Sequence, residues 1–262
     1  MVQNTEKYTV ITGASSGIGY ETAKAFAERG SSLILVARRK DRLEALRQEI
    51  LALHPMLDIV VKAADLSVPQ NVFQLYESIK SYPLQTWVNN AGFGNYGSVG
   101  NQDLEKISRM LHLNVEALTV FSSLFVRDFK DTEGTQLINI SSCGGYTIVP
   151  NAVTYCAAKF YVSAFTEGLA WELKAAHAKM QAKVLAPAAT KTEFGKIAND
   201  VTKYDYDRLF GTYNTSTQMA AFLLELYDSD KTVGFVDRET FSFYLYEPQF
   251  QYAGNSRHNQ KM

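Results

Sequence analysis

The chain has 262 residues, 46% hydrophobic and 20% charged, which is enough apolar material for one domain with a sizeable core. Its formal net charge of -1 gives no electrostatic reason for nucleic acid or an anionic membrane as partner, so any anion site must be local. Two cysteines, Cys143 and Cys156, without metal-ligand spacing argue against a disulfide framework or a structural metal, and no apolar run approaches a membrane span, so a reducing, cytoplasmic setting is expected.

The first apolar run, YTVITG at 8–13, leads through TGASSGIG into a helical pattern over 18–29. Glycines at 13, 17 and 19 permit a tight strand-to-helix turn and leave the first N–H groups of the helix open to a phosphate, although that spacing alone also suits a plain structural turn. Strands are then predicted at 32–38, 58–65, 86–92, 135–142, 182–188 and 232–237. Helices are predicted at 41–53, 69–80, 103–129, 154–177 and 217–227. Most strand runs are near-continuously apolar, as strands buried on both faces of a parallel sheet require. The alternation predicts a doubly wound α/β fold, a single domain over 1–262 with about seven parallel strands flanked by helices. Residues 190–216 read as an irregular, aromatic segment covering a site, and the polar tail at 255–262 is expected to fray.

TGASSGIG (12–19), Asp65, NNAG (89–92), Asn114, Ser142 and YCAAK (155–159) occur together and in this order, with Ser142 thirteen residues before Tyr155. In these motifs, over roughly residues 8–195, the chain resembles the short-chain dehydrogenase/reductase (SDR) family. The resemblance implies a Rossmann-type core over 8–188, a nicotinamide cofactor and reversible carbonyl–alcohol chemistry. It places the cofactor against Gly13, Ser15, Ser16, Gly17, Ile18 and Gly19 of the turn and against Asp65 and Leu66 after the third strand. Further contacts would come from Asn90, Ala91 and Gly92 after the fourth strand, and from Pro187, Thr190 and Thr192 after the sixth. Asp65 would accept from the adenine amino group, although an Asp ending a strand is also an ordinary turn residue. Asn89 or Asn90 would hold neighbouring strands together.

The end of the second strand selects the cofactor. NAD-preferring dinucleotide folds place Asp or Glu about 20 residues after the glycine turn, to bind the ribose hydroxyls. Here that position is Ala37, followed by Arg38 and Arg39. A guanidinium forms charge-assisted bonds to a 2'-phosphate where a carboxylate would repel it, so NADP(H) is favoured over NAD(H), with Arg38 the stronger candidate. Lys40 and Arg42 read as a solvated helix start. Ser15 or Ser16 could add a hydroxyl contact.

Tyr155 and Lys159 are four residues apart on one helix face. Bringing a phenol from pH 10 to about 7 takes roughly 4 kcal/mol. An ammonium at about 4 Å, in an effective dielectric of about 20, supplies that much. Hydride transfer to a carbonyl builds charge on oxygen. Ser142 would hydrogen-bond that oxygen and Tyr155 would protonate it, while Lys159 would lower the tyrosine pKa. By resemblance Lys159 also binds the nicotinamide ribose, together with Tyr155, and Asn114 holds a water linked to the lysine. Ser141 is the adjacent alternative, and the thirteen-residue spacing chooses Ser142.

Two departures from the family stand out. Ala188 replaces the usual glycine after Pro187, and the ending TVGFVDRETFSFYLYEP keeps only Val-Asp of the usual motif. Cys143 and Cys156 are expected to point away from the site and pack. Phe194, Tyr204, Tyr206, Phe210 and Tyr213, with FGNYG (93–97) and CGGY (143–146), could form a moderately hydrophobic pocket. The expected function is an NADP(H)-dependent reductase of a hydrophobic ketone or aldehyde, with 3-oxoacyl, steroid-like or sugar carbonyls as the unresolved set. A non-catalytic NADP(H)-binding sensor is the alternative of another class. A homo-oligomer, dimer or tetramer, is expected, with apolar residues such as Leu118, Phe121 and Phe160 serving subunit packing or the core. No metal is expected.

Overall fold

Adjacent residues within each apolar run are buried on opposite sides of one sheet, which explains why the runs are continuous rather than alternating. In the computed structural model, which describes residues 7–254, Ile11, Leu33, Leu35, Val88 and Ile138 belong to one buried cluster, while Val10, Ile34, Val36, Trp87 and Leu137 belong to another. The strands are β1 (Tyr8–Thr12), β2 (Ser32–Ala37), β3 (Ile59–Ala63), β4 (Leu84–Asn89), β5 (Gln136–Ile140), β6 (Gln181–Ala186), β9 (Val233–Val236) and β10 (Phe243–Tyr246). They form an eight-stranded sheet in the order β10-β9-β6-β5-β4-β1-β2-β3, parallel except for the β9–β10 pair. The expected seven strands are all present.

The eighth strand, β10, escapes sequence reading because it is an edge strand covered on one face. Phe243 and Leu245 pack on the core while Tyr244 and Tyr246 are exposed and stack on each other at 6.0 Å. The missing family ending is thus replaced by a β-hairpin.

Helices flank both faces. On the first cluster's side lie α1 (Gly17–Glu28), α2 (Lys40–Leu53) and α9 (Ser216–Asp228), which bury Phe26, Leu46 and Leu223. On the other lie α3 (Pro69–Ile79), α5 (Leu118–Phe129) and α6 (Val153–Ala175), with Tyr76, Phe121 and Phe125 around Trp87. Leu118 and Phe121 are therefore core residues, unavailable for subunit packing. None of the described helices is long and apolar enough to cross a membrane.

The helix expected over 103–129 is divided. α4 (Leu104–Leu111) and α5 are joined by a π-helical stretch, His112–Ala117, that contains Asn114. The segment at 190–216 is also more ordered than expected. It contains α7 (Phe194–Ala198), α8 (Tyr206–Phe210) and a parallel ladder of β7 (Thr190–Lys191) with β8 (Asn214–Thr215). Its aromatic side chains fold on one another: Tyr206 lies 5.0 Å from Tyr204, 5.7 Å from Phe210 and 5.6 Å from Tyr213. The tail at 255–262 lies outside the described residues.

Because β1 sits between β2 and β4, successive connections leave it in opposite directions. Ligands of open α/β sheets bind in the crevice at the carboxyl ends of the strands beside such a reversal.

Candidate active site

A cleft enclosing ≈ 430 Å³ opens at that reversal. At its floor, Thr12 and Asn90 join the ends of β1 and β4. Thr12 Oγ1 accepts from the Asn90 and Ala91 amides at 3.0 Å each, and Asn90 Nδ2 donates to the Thr12 carbonyl at 2.8 Å. Asn89 performs the equivalent task toward β5, donating to Asn139 Oδ1 at 2.9 Å. Both asparagines that the sequence left as alternatives hold strands together.

The glycine turn owes its composition partly to Asn90. A Cβ on Gly13, whose φ is +71, would lie 2.8 Å from Asn90 Nδ2, and one on Gly19 would lie 2.4 Å from it. Gly19 does not line the cleft; it is required behind the wall. The N-cap of α1, Ser16, makes no side-chain cap bond, so the first-turn N–H groups keep their capacity for an anion. Gly13, Ser15, Ser16, Gly17 and Ile18 all face the cleft.

Arg38 and Arg39 both line the cleft, in different surroundings. Arg38 is largely exposed and approaches Asp65 only to 4.0 Å. Arg39 is the organised cation: its Nη2 donates to Ser15 Oγ at 3.1 Å and to Ser16 Oγ at 2.8 Å, and its Nη1 to Glu193 Oε2 at 2.7 Å. Arg42 is not simply solvated, since it donates to the other Glu193 oxygen at 2.9 Å. Hydrogen bonds from Arg42 and Arg39 hold the Glu193 carboxyl down at about 2. Glu193 was not singled out from the sequence. Its partners are 151 and 154 residues away, so no local pattern marks it. Asp65 and Leu66 line the cleft, and Asp65 Oδ1 also accepts from the Ser67 amide and hydroxyl in a local turn. Burial pushes the Asp65 carboxyl up, but the Ser67 hydrogen bonds and the nearby Arg38 charge outweigh it and leave it low.

At the other end of the cleft, β5 and α6 bring Ser142, Tyr155 and Lys159 together. Ser141 turns inward, donating to the Lys159 carbonyl at 3.0 Å and lying 2.7 Å from Ser163 Oγ. Ser142 Oγ accepts from the Gly144 amide at 3.0 Å and stands near enough to the Tyr155 phenol to favour its anion. Lys159 is buried with no carboxylate paired to it among the described residues; its Nζ donates to the Ile140 carbonyl at 2.7 Å and lies 5.9 Å from the Tyr155 ring centroid. Burial lowers its pKa to about 8.

Burial pushes the Tyr155 phenol up, the neighbouring Tyr96 adds to that, and the Ser142 hydroxyl opposes it. Burial outweighs the lowering that an isolated Tyr–Lys pair would give, and the Lys159 ammonium is tied to the Ile140 carbonyl.

Asn114 lies behind this end rather than in it. Its Nδ2 donates to the Phe93 carbonyl at 2.9 Å and its Oδ1 accepts from the Phe93 amide at 3.2 Å, so the side chain pairs with the loop after β4 as another peptide group would. That loop carries Ala91 and Gly92 along the cleft. Pro187, Thr190 and Thr192 line the opposite side. Ala188 is buried without a left-handed φ, and its carbonyl accepts from Thr190 Oγ1 at 2.9 Å, so this turn has no need of glycine.

Tyr96 and Phe194 stand over the phenol, with centroids 6.2 and 5.4 Å from the Tyr155 ring. Tyr204, Tyr206 and Phe210 also reach the cleft, whereas Tyr213 does not and instead donates to Asp207 at 2.6 Å. Cys143 and Cys156 line the cleft too, contrary to expectation. Burial raises the Cys143 thiol, which disfavours the reactive thiolate. Among the described residues no cluster suited to a metal ion occurs.

A mostly parallel sheet with a glycine turn at its strand-order reversal, and a Ser–Tyr–Lys group in the same cleft, defines a Rossmann-type oxidoreductase. The chain belongs to the short chain dehydrogenase family, whose family model matches residues 7–202. It is 31% identical over 208 residues to an uncharacterized oxidoreductase of Staphylococcus saprophyticus, covering 78% of this chain and 83% of that one. Among solved structures it resembles a short-chain dehydrogenase from Sphingobium yanoikuyae in complex with NADPH, with TM-score 0.80, 29% identity and 87% of each chain covered. It also resembles the bulky-bulky ketone specific alcohol dehydrogenase from Comamonas testosteroni, with TM-score 0.75, 27% identity, and 87% of this chain and 85% of that one covered.

Proposed function

We propose that the protein is an NADP(H)-dependent oxidoreductase that reduces a moderately hydrophobic, bulky ketone or aldehyde to its alcohol. The observation that carries this reading is the cleft itself. One end gathers Ser142, Tyr155 and Lys159 beneath aromatic side chains, and the other presents Arg39 with Ser15 and Ser16 and no acid at Ala37. The NADPH bound by the Sphingobium protein supports the cofactor assignment, and the ketone specificity of the Comamonas enzyme supports the substrate class.

The cleft fits a nicotinamide dinucleotide. The uncapped first turn of α1 and the Arg39 guanidinium suit phosphate groups, and Ala91 and Gly92 leave room along the wall. When bound, the cofactor supplies the hydride. Ser142 and Tyr155 then hydrogen-bond the substrate oxygen and stabilise the charge that grows there. Tyr155 delivers the proton, and its burial keeps it in the protonated form that this direction requires. Lys159 holds a positive charge beside the phenol and binds the ribose hydroxyls. Asn114 is a positioning residue that acts through Phe93. We carry over a dimer or tetramer from the family resemblance, to be checked by light scattering.

The test is NADPH oxidation across a panel of ketones and aldehydes, with Tyr155→Phe as the control. Turnover that the variant abolishes supports the reading. Cofactor binding without turnover on any substrate would replace it with a non-catalytic sensor, and no dinucleotide binding would overturn it.

A further inference from the structure

The Arg39 guanidinium is shared among three partners from two distant parts of the chain. Ser15 and Ser16 hold it from the glycine turn, and Glu193 holds it from the start of the covering segment. Arg42 completes the arrangement, so each Glu193 oxygen is taken by a different guanidinium, at 2.7 and 2.9 Å. Guanidinium groups recognise carboxylate and phosphate with the same donor fork. Glu193 therefore satisfies Arg39, a cation of the cleft wall that an incoming phosphate on the adenosine ribose would need, and leaves Arg38, which lines the same end, to its long 4.0 Å approach to Asp65. The two ends of the cleft are linked through its neighbours. The Thr192 side chain lies 3.0 Å from where a Cβ on Gly17 would sit, and Phe194 packs 5.4 Å from the Tyr155 ring.

We propose that Glu193 is an internal counter-anion that sets cofactor selectivity: its carboxylate occupies Arg39 and Arg42, and the 2'-phosphate of NADP(H) must displace it to bind. This rests on the NADP(H) reading above. NAD(H), with a hydroxyl in that place, lacks the 2'-phosphate that would compete for the arginines there and binds alongside the intact ion pair. Glu193 thus weakens NADP(H) binding selectively, narrowing a preference that the arginines alone would make wide. The carboxylate remains ionised throughout the neutral range. All three side chains are partly exposed, at 39%, 45% and 35%, so solvent limits the size of the effect.

Equilibrium titration of NADPH and NADH against the wild type and Glu193→Gln decides the matter, with 2',5'-ADP and ADP as smaller probes of the same end. The neutral amide should tighten NADPH and 2',5'-ADP by about three- to tenfold, while NADH and ADP stay within about twofold. Equal weakening of both cofactors would make Glu193 a clasp over any bound dinucleotide and overturn the proposal, as would an unchanged NADPH to NADH ratio. If the wild type binds neither dinucleotide, the cofactor reading itself fails, and this inference with it. Glu193→Ala, which cannot hydrogen-bond the arginines, should show the same selective gain and guards against a residual amide contact.

Discussion

The two sides of the cleft are held by different kinds of interaction. Beneath Tyr155, β5 is fixed to α6 by fully buried polar pairs. Asn139 donates to Thr166 Oγ1 at 2.9 Å and accepts from Asn89 at 2.9 Å, and Ser141 joins the Lys159 carbonyl and Ser163. Farther along α6, the buried Glu167 accepts from Tyr146 Oη at 2.6 Å and from the Phe250 amide at 2.8 Å, strapping the stretch after β10 onto the same helix. Above Tyr155, the segment at 190–216 packs mainly on its own aromatic rings. It is tied down by half-exposed Glu193 and by Lys106, whose Nζ donates to the Ile197 carbonyl at 2.9 Å and to Asp200 at 2.6 Å. Buried hydrogen bonds resist solvent competition, whereas exposed ion pairs yield to it. The residues beneath Tyr155 are thus held by buried hydrogen bonds, and the segment above it by a half-exposed ion pair together with the buried Lys106 ammonium.

This contrast can be broken most forcefully at Tyr155. Tyr155→Phe should lower ketone reduction by about 10²–10⁴-fold while NADPH still binds, weakened far less than turnover by the one lost hydroxyl contact, as measured by steady-state rates alongside fluorescence titration. Asn139→Ala tests the rigidity of the floor. It leaves buried partners without their bonds and should cost about 1–3 kcal/mol in urea unfolding. Loss of both stability and turnover would show that the floor holds the chemistry in place.

Proton dependence sharpens the same point. Burial lowers the Lys159 pKa to about 8, so its ammonium is lost as the pH rises through that value while the raised Tyr155 phenol keeps its proton. The kcat/KM for reduction should therefore decline above about pH 8, and Lys159→Arg, always charged, should remove that limb. A limb that persists in the arginine variant would place the titration elsewhere. The smallest effect belongs to the cover. Phe194→Ala should raise KM for a bulky ketone several-fold with kcat nearly unchanged and with stability shifted by less than about 1 kcal/mol. A stability loss as large as that of Asn139→Ala would erase the distinction between floor and cover.

The sequence exposes what is locally determined. Both-face burial makes the parallel strands continuous apolar runs, and the turn at Gly13 to Gly19 and the pair Tyr155–Lys159 are set by spacings of a few residues. β10 was illegible because only Phe243 and Leu245 face the core, and the tyrosines between them hide the alternation. Glu193 was illegible for another reason: a single acid after TKT carries no sign of arginines more than a hundred residues earlier. Arg38 and Arg39 both line the cleft, as position along the strand suggests, but only the fold shows that Arg39 is the one held by the turn serines. The burial around the Tyr155 phenol, which pushes it up, comes from distant parts of the chain and is invisible in the YCAAK spacing.

The π-helical stretch around Asn114 also keeps the helical phase. Lys106, Met110, Asn114, Leu118 and Ser122 are all buried, and they succeed one another in steps of four. On a regular α-helix each such step overshoots by ~40°, so the last of them would stand ~160° from the first, nearly on the opposite side. The additional residue of a π-turn takes back ~100° of that drift. Removing one residue anywhere within His112–Ala117 would leave a perfectly good helix by composition, but a wrongly phased one. Phe121 and Phe125 would swing away from Trp87 while Asn114 lost its hold on Phe93. The seating of a core helix and the shape of the cleft wall are therefore set by a single count of residues.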